Sequence, residues 1–114
     1  MNREIKFRAW DEVSEKMLNW NYFLDTNMKN TFIAPESTGI ILMQYTGLDD
    51  KNGKEIYEGD IAKYENMIGK IMFFNGSFIL SDFEETEEWE LGVINEELEI
   101  MGDIYNNPEL LEGE

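Results

Sequence analysis

The chain has no cysteine and no histidine among its 114 residues. Without cysteine there is no disulfide framework and no thiolate chemistry. With histidine also missing, the commonest general base and the usual zinc ligands are absent. No GxxxxGK[ST] phosphate loop and no GxSxG elbow occurs, and the four serines (Ser14, Ser37, Ser77 and Ser81) have no indicated partner base. Carboxylate pairs are the one remaining catalytic chemistry, but among 25 acidic side chains such pairs arise by chance. These absences predict a protein that is not an enzyme and uses no metal or other cofactor. Long hydrophobic runs are missing too. None approaches the roughly 20 residues of a bilayer span, and MNREIKF lacks a signal-peptide core. An intracellular, soluble protein without membrane attachment is expected.

Positive charge is scarce and unevenly spread. Residues 1–70 carry 12 acidic and 9 basic side chains, whereas residues 71–114 carry 13 acidic and none basic. Lys70 is the last cation in a chain of net charge −16. So acidic a C-terminal part repels nucleic-acid phosphates and anionic membranes. Two readings of it stay open: a solvated face that keeps strand edges unpaired, or a surface for a basic partner. In the second reading the candidate partner-binding residues are Glu84, Glu85, Glu87, Glu88, Trp89 and Glu90, within SDFEETEEWELG. Trp10, Trp20 and Trp89 could also form a base-stacking platform, but stackers sit beside Lys and Arg, and Trp89 is surrounded by glutamates.

What is present is mostly strand pattern. EIKFRAW sets Ile5, Phe7 and Ala9 against Lys6, Arg8 and Trp10, and MLNWNYF sets Leu18, Trp20 and Tyr22 against Asn19 and Asn21. Residues 24–38 read as a loop around a short strand at 31–34, and GIILMQY as a strand covered on both faces. In GKIMFFNGSFILSD, Asn75-Gly76 asks for a two-residue type I′ hairpin, pairing Phe74 with Ser77, Phe73 with Phe78 and Ile71 with Leu80. The second hairpin face, Met72, Phe74 and Ile79, is also apolar, which makes these three a candidate interface. Ser81 with Glu84 fits a capping box for a short helix closed by Gly92, though an acidic loop suits the segment equally. LEIMGDIY reads as a half-buried strand, and Asn107-Pro108 as a helix start.

The stretch GLDDKNGKEIYEGDIAKY invites a calcium-loop reading. With Gly53 at the loop's sixth position, Leu48 and Gly59 fall where the first and the bidentate ligands belong, and neither can ligate. Two tight turns explain the stretch better.

REIKFRAWD at 3–11, ILMQYTGLDDKNGKEIYEGDI at 41–61 and MGDIYNNPELL at 101–111 resemble the characteristic blocks of the YopX family of phage and prophage proteins. The blocks fall in order and span nearly the whole chain, while residues 18–39 match no block. The resemblance implies a mainly β protein with an SH3-type small barrel, built from strands at 60–65, 70–74, 77–82 and 98–105, acting in a bacterial cytoplasm. It implies no activity and assigns no functional residue. The expected architecture is an N-terminal β-rich subdomain over 1–45 and a barrel with an acidic C-terminal half over 46–114, with little helix.

The expected function is a non-enzymatic interaction module for a host or phage protein, in its sharpest form a DNA mimic that occupies a basic surface. A homo-oligomer is compatible with it. The alternative is a nucleic-acid-binding small barrel, disfavoured by charge. It would draw its patch from Arg3, Lys6, Arg8, Lys51, Lys54, Lys63 and Lys70, with Lys16 and Lys29 the only other cations.

Overall fold

The computed structural model describes residues 4–25 and 39–111, and in them the chain is mainly β. The strands are β1 (Phe7–Asp11), β2 (Lys16–Leu18), β3 (Ile40–Asp49), β4 (Glu55–Tyr57), β5 (Asp60–Tyr64), β6 (Met67–Phe74), β7 (Ser77–Asp82), β8 (Glu88–Glu90) and β9 (Glu99–Asp103). Two short helices, α1 (Trp20–Asp25) and α2 (Leu91–Ile94), and 3-10 turns at Asn95–Glu97 and Pro108–Leu111 complete the described elements. The chain divides into two compact units, Met1–Tyr45 and Thr46–Glu114, and β3 runs across the division.

In the first unit β1 pairs antiparallel with both β2 and β3, and its alternation buries Ala9 completely. Ala9 and Ile40 form a small core flanked by Leu18, Trp20 and Leu42. The alternation in MLNWNYF does not continue as a strand: β2 ends at Leu18, and Trp20 opens α1. Asn19 is the reason. Its Oδ1 accepts the Tyr22 amide at 3.1 Å, the side-chain cap that starts a helix, and this local bond outcompetes the period of two. The strand expected at 31–34 lies outside the described residues.

The second unit is built on a five-stranded sheet of order β8-β7-β6-β5-β9. The β6–β7 hairpin has the register read from the sequence, with Phe74 opposite Ser77, Phe73 opposite Phe78 and Ile71 opposite Leu80. Asn75 and Gly76 take φ of 53° and 85°, the left-handed pair that a type I′ turn requires. One face of the sheet supplies Ala62, Ile71 and Leu80 to the core, where Ile56, Leu91, Ile94 and Leu98 meet them. Trp89, Tyr64 and Ile100 pack at its margin.

This sheet corrects the expected fold. A barrel closes only when its first and last strands pair. Here β8 and β9 stand at opposite ends of the order, so the C-terminal sheet is open and forms no SH3-type barrel. The half-barrel sheet lies in the N-terminal region, in the four-stranded order β2-β1-β3-β4. β8 is only three residues long before the chain turns into α2. At the other end, the chain's own turns occupy β9: the Ile100 amide bonds Asp50 Oδ2 at 2.9 Å, the Asp103 amide bonds Asn107 Oδ1 at 3.2 Å, and the Lys51 amide bonds the Leu98 carbonyl at 3.0 Å.

Candidate functional site: an acidic loop and an open sheet edge

The acidic segment begins where β7 ends. Ser81, the residue expected to cap a helix, is instead buried in β7 opposite Lys70 and Glu88, and its hydroxyl donates to the Asp82 carbonyl at 3.2 Å. No helix starts there. Its neighbour Asp82 does the capping, and what it caps is a loop. Asp82 Oδ1 accepts the amides of Thr86 at 2.7 Å and Glu87 at 3.1 Å, while Oδ2 accepts the Thr86 hydroxyl at 2.6 Å. Backbone bonds from Asp82 N to Glu87 O and from Glu85 N to Asp82 O close the turn, with Glu85 at a φ of 60°. The Thr86 hydroxyl is the largest influence on the Asp82 carboxyl; burial opposes it, and the Glu87, Thr86 and Glu85 amides join it in holding the group below the ordinary aspartate range.

The loop therefore presents its carboxylates from a defined backbone. Glu84, Glu85 and Glu87 are exposed on it, and Glu88 and Glu90 are exposed on β8. Lys70 Nζ reaches Glu85 Oε2 at 2.9 Å, and the Ser77 hydroxyl donates to Glu90 Oε1 at 3.4 Å. Phe83, at the loop's start, is 56% exposed. Trp89 is of a different kind from its neighbours. It lies half-buried against the core with its ring edge-to-face on Tyr64, centroids 5.9 Å apart, so it anchors β8 from within. The Tyr64 hydroxyl titrates above the usual tyrosine range, through desolvation first and then the nearby Glu65 and Glu97 charges.

The three hairpin residues set apart as an interface do not share one environment. Ile79 is 5% exposed, Met72 is half-buried, and Phe74 is 45% exposed near the turn. The 3-10 turn Pro108–Leu111 packs near β6. The exposed apolar surface of the hairpin is its tip, where Phe73, 51% exposed, meets Phe78 edge-to-face at 5.0 Å.

Two more of the basic residues are engaged within the chain. Lys6 lies over the Tyr45 ring at 4.9 Å and 3.6 Å from Glu4, and Lys51 lies 3.9 Å from Glu99. Arg3 and Lys29 lie outside the described residues. Among the described residues no cluster of three or more histidine, cysteine, aspartate or glutamate side chains could hold a metal ion. Also among them, no helix is long and apolar enough to cross a membrane.

The opening turns of the second unit hold the residues that sequence reasoning passed over. Buried Asp50 accepts the Asn52 and Lys54 amides at 2.8 and 2.9 Å on Oδ1 and the Ile100 amide on Oδ2, which staples the DDKNG turn to β9. Gly59-Asp60-Ile61 and Gly102-Asp103-Ile104, the same triplet met twice in the sequence, lie side by side. Asp60 pairs with Asp103, Ile61 pairs with Gly102, and each aspartate is buried while it caps its own turn. Burial of Asp103 departs from the half-buried alternation expected for LEIMGDIY. For Asp50 and Asp103 the signal available was an Asn two or three residues on, an Asx-turn pattern; Asp60, which accepts the preceding Tyr57 amide, carries no such signal.

Residues 6–112 match the family model described as YopX protein. The crystal structure of protein EF1440 from Enterococcus faecalis is similar, with 26% identity, a TM-score of 0.66, and coverage of 96% of this chain and 99% of that one. The crystal structure of protein yopX from Bacillus subtilis shares the fold at 24% identity and a TM-score of 0.63, covering 96% of this chain and 97% of that one. No curated protein matches. With nearly its entire length covered, the chain belongs to the YopX family of phage and prophage proteins.

Proposed function

We propose that the protein is a non-enzymatic interaction module that presents Phe83–Glu90 to a protein of the phage or of its bacterial host, in the cytoplasm. The observation that supports this reading is the Asp82-capped loop: it holds Glu84, Glu85 and Glu87 on a fixed backbone that leads directly into Glu88 and Glu90. Pre-organised carboxylates lose little entropy on docking, and their joint field speeds encounter with a basic surface. The sharper version is mimicry of nucleic-acid phosphates on a basic host surface. A nucleic-acid-binding role has lost the closed C-terminal barrel on which its analogy leaned.

The test is a tagged pull-down from host lysate at low and moderate salt. It is repeated with Glu84, Glu85, Glu87, Glu88 and Glu90 all changed to Gln. One protein retained stoichiometrically by the native chain, released as salt rises and lost with the five substitutions, is the expected result. Equal retention by the substituted chain would remove the acidic segment from the function. Light scattering at micromolar concentration separates a foreign partner from a second copy.

A further inference from the structure

We propose that the open edge of β8 binds its partner by strand addition, and that the partner supplies an extended segment in which Lys or Arg alternates with apolar residues. This deepens the preceding reading and rests on it. The sheet has two ends, and they are not equivalent. At β9 the chain's own Asp50, Lys51 and Asn107 occupy the outer backbone groups. At β8, among the described residues, no strand lies outside.

Register decides which groups face outward there. Asp82 N donates to Glu87 O at 3.1 Å, and Leu80 stands opposite Trp89. Hydrogen-bonded pairs alternate along an antiparallel ladder, so Glu87 and Trp89 turn their backbone groups toward β7. The N–H and C=O of Glu88 point away from the sheet.

The side chains then specify the occupant. Glu88 and Glu90, opposite Ser81 and Ile79, lie on one face, and Trp89, opposite Leu80, lies on the other. An added strand would set alternate side chains beside two carboxylates and the intervening ones beside an indole. Basic and apolar residues in alternation satisfy both faces. No cation of this chain follows Lys70. The chain's own basic strand, β1, already lies between β2 and β3. A second copy's β8 would bring glutamate against glutamate, so the same carboxylates that admit a basic strand reject self-pairing. The charge therefore selects a foreign, basic segment.

The probe is an eight-residue peptide of alternating Lys and Val, capped at both ends, with KKKKVVVV of the same composition as its control. Binding is followed by amide NMR on the full chain. The alternating peptide is expected to slow hydrogen exchange at the Glu88 amide about tenfold or more and to bind more tightly than the control. Glu88→Pro removes the outward N–H and spares the β7 ladder, and it should weaken binding about tenfold or more. Glu88→Gln keeps the amide and should weaken it only about twofold to fivefold. Unchanged exchange at Glu88 in the native chain, or equal binding of the block peptide, would overturn strand addition without reliance on any variant. If the five-glutamine chain loses its captured partner while Glu88→Pro retains it, the acidic surface stands and strand addition falls. If both chains retain the partner, both readings fall.

Discussion

At the scale of single residues, aspartate organises the turns. Asp11 accepts the Val13 and Ser14 amides, Asp50 those of Asn52, Lys54 and Ile100, and Asp82 those of Thr86 and Glu87. Asp50 carries the most, because it is itself buried and accepts a third amide, that of Ile100, from β9. Asp50→Ala should destabilise the fold by about 2–3 kcal/mol, seen as a lower urea midpoint at unchanged slope. Asp50→Asn should not rescue it fully, because an amide presents a donor to one of the donors that the carboxylate satisfied. All three carboxyls titrate below the ordinary aspartate value of 3.8. For Asp11 the Val13 amide is the main cause. For Asp82 it is the Thr86 hydroxyl. For Asp50 burial pushes upward most strongly of any single influence, but the Ile100, Lys54 and Asn52 amides and the Lys54 charge together outweigh it. A carboxyl depressed in the folded state stabilises the fold above its unfolded value and loses that contribution as pH falls through the folded one. The contribution of these groups should therefore hold down to about pH 4 and decline below it, and Asp50→Ala should flatten that acid limb in pH-dependent urea titrations.

At the scale of elements, the hairpin shows which glycines matter and why. Gly76 has φ of 85° and open space around the position of a Cβ, so Gly76→Ala meets only backbone strain, about 1–2 kcal/mol. Gly69 lies in β6 where a Cβ would run into the backbone carbonyl of Ser81. Backbone cannot yield there without opening the β6–β7 ladder, so Gly69→Ala should cost more, about 3 kcal/mol. Urea unfolding of the two variants checks that order. The hairpin was legible in the sequence because turn residues and alternation act within a few neighbours. The β7–β8 connection was not. Ser81 with Glu84 satisfies the capping-box pattern, yet Ser81 is buried by the strands on either side of it, and Asp82 takes the capping role. In α1 the reverse holds, since Asn19 offers a cap and the alternation of MLNWNYF runs past it.

At the scale of the whole molecule, 25 acidic side chains against 9 basic ones make self-repulsion the dominant long-range term. Raising salt from about 0.01 M to about 0.15 M shortens the screening length from roughly 30 Å to 8 Å, and the melting temperature should rise. The exposed Lys70–Glu85 pair weakens under the same change, but a surface pair contributes too little to reverse the sign. A scan of melting temperature against salt checks this, and a fall would show that local ion pairs outweigh the net charge. The sequence by itself determined the mainly β class, the hairpin with its register, the family, and the charge that ends at Lys70. Each of these depends on neighbours in the chain or on composition. Only the tertiary structure decided that the C-terminal sheet stays open, that Ile79 is buried while Phe74 is exposed, and that Asp50, Asp60 and Asp103 are buried caps. Strand order and burial depend on which distant segments meet. A three-residue β8 that turns into α2, and a β9 edge occupied by the Asp50 turn, are outcomes of long-range pairing that local pattern does not encode.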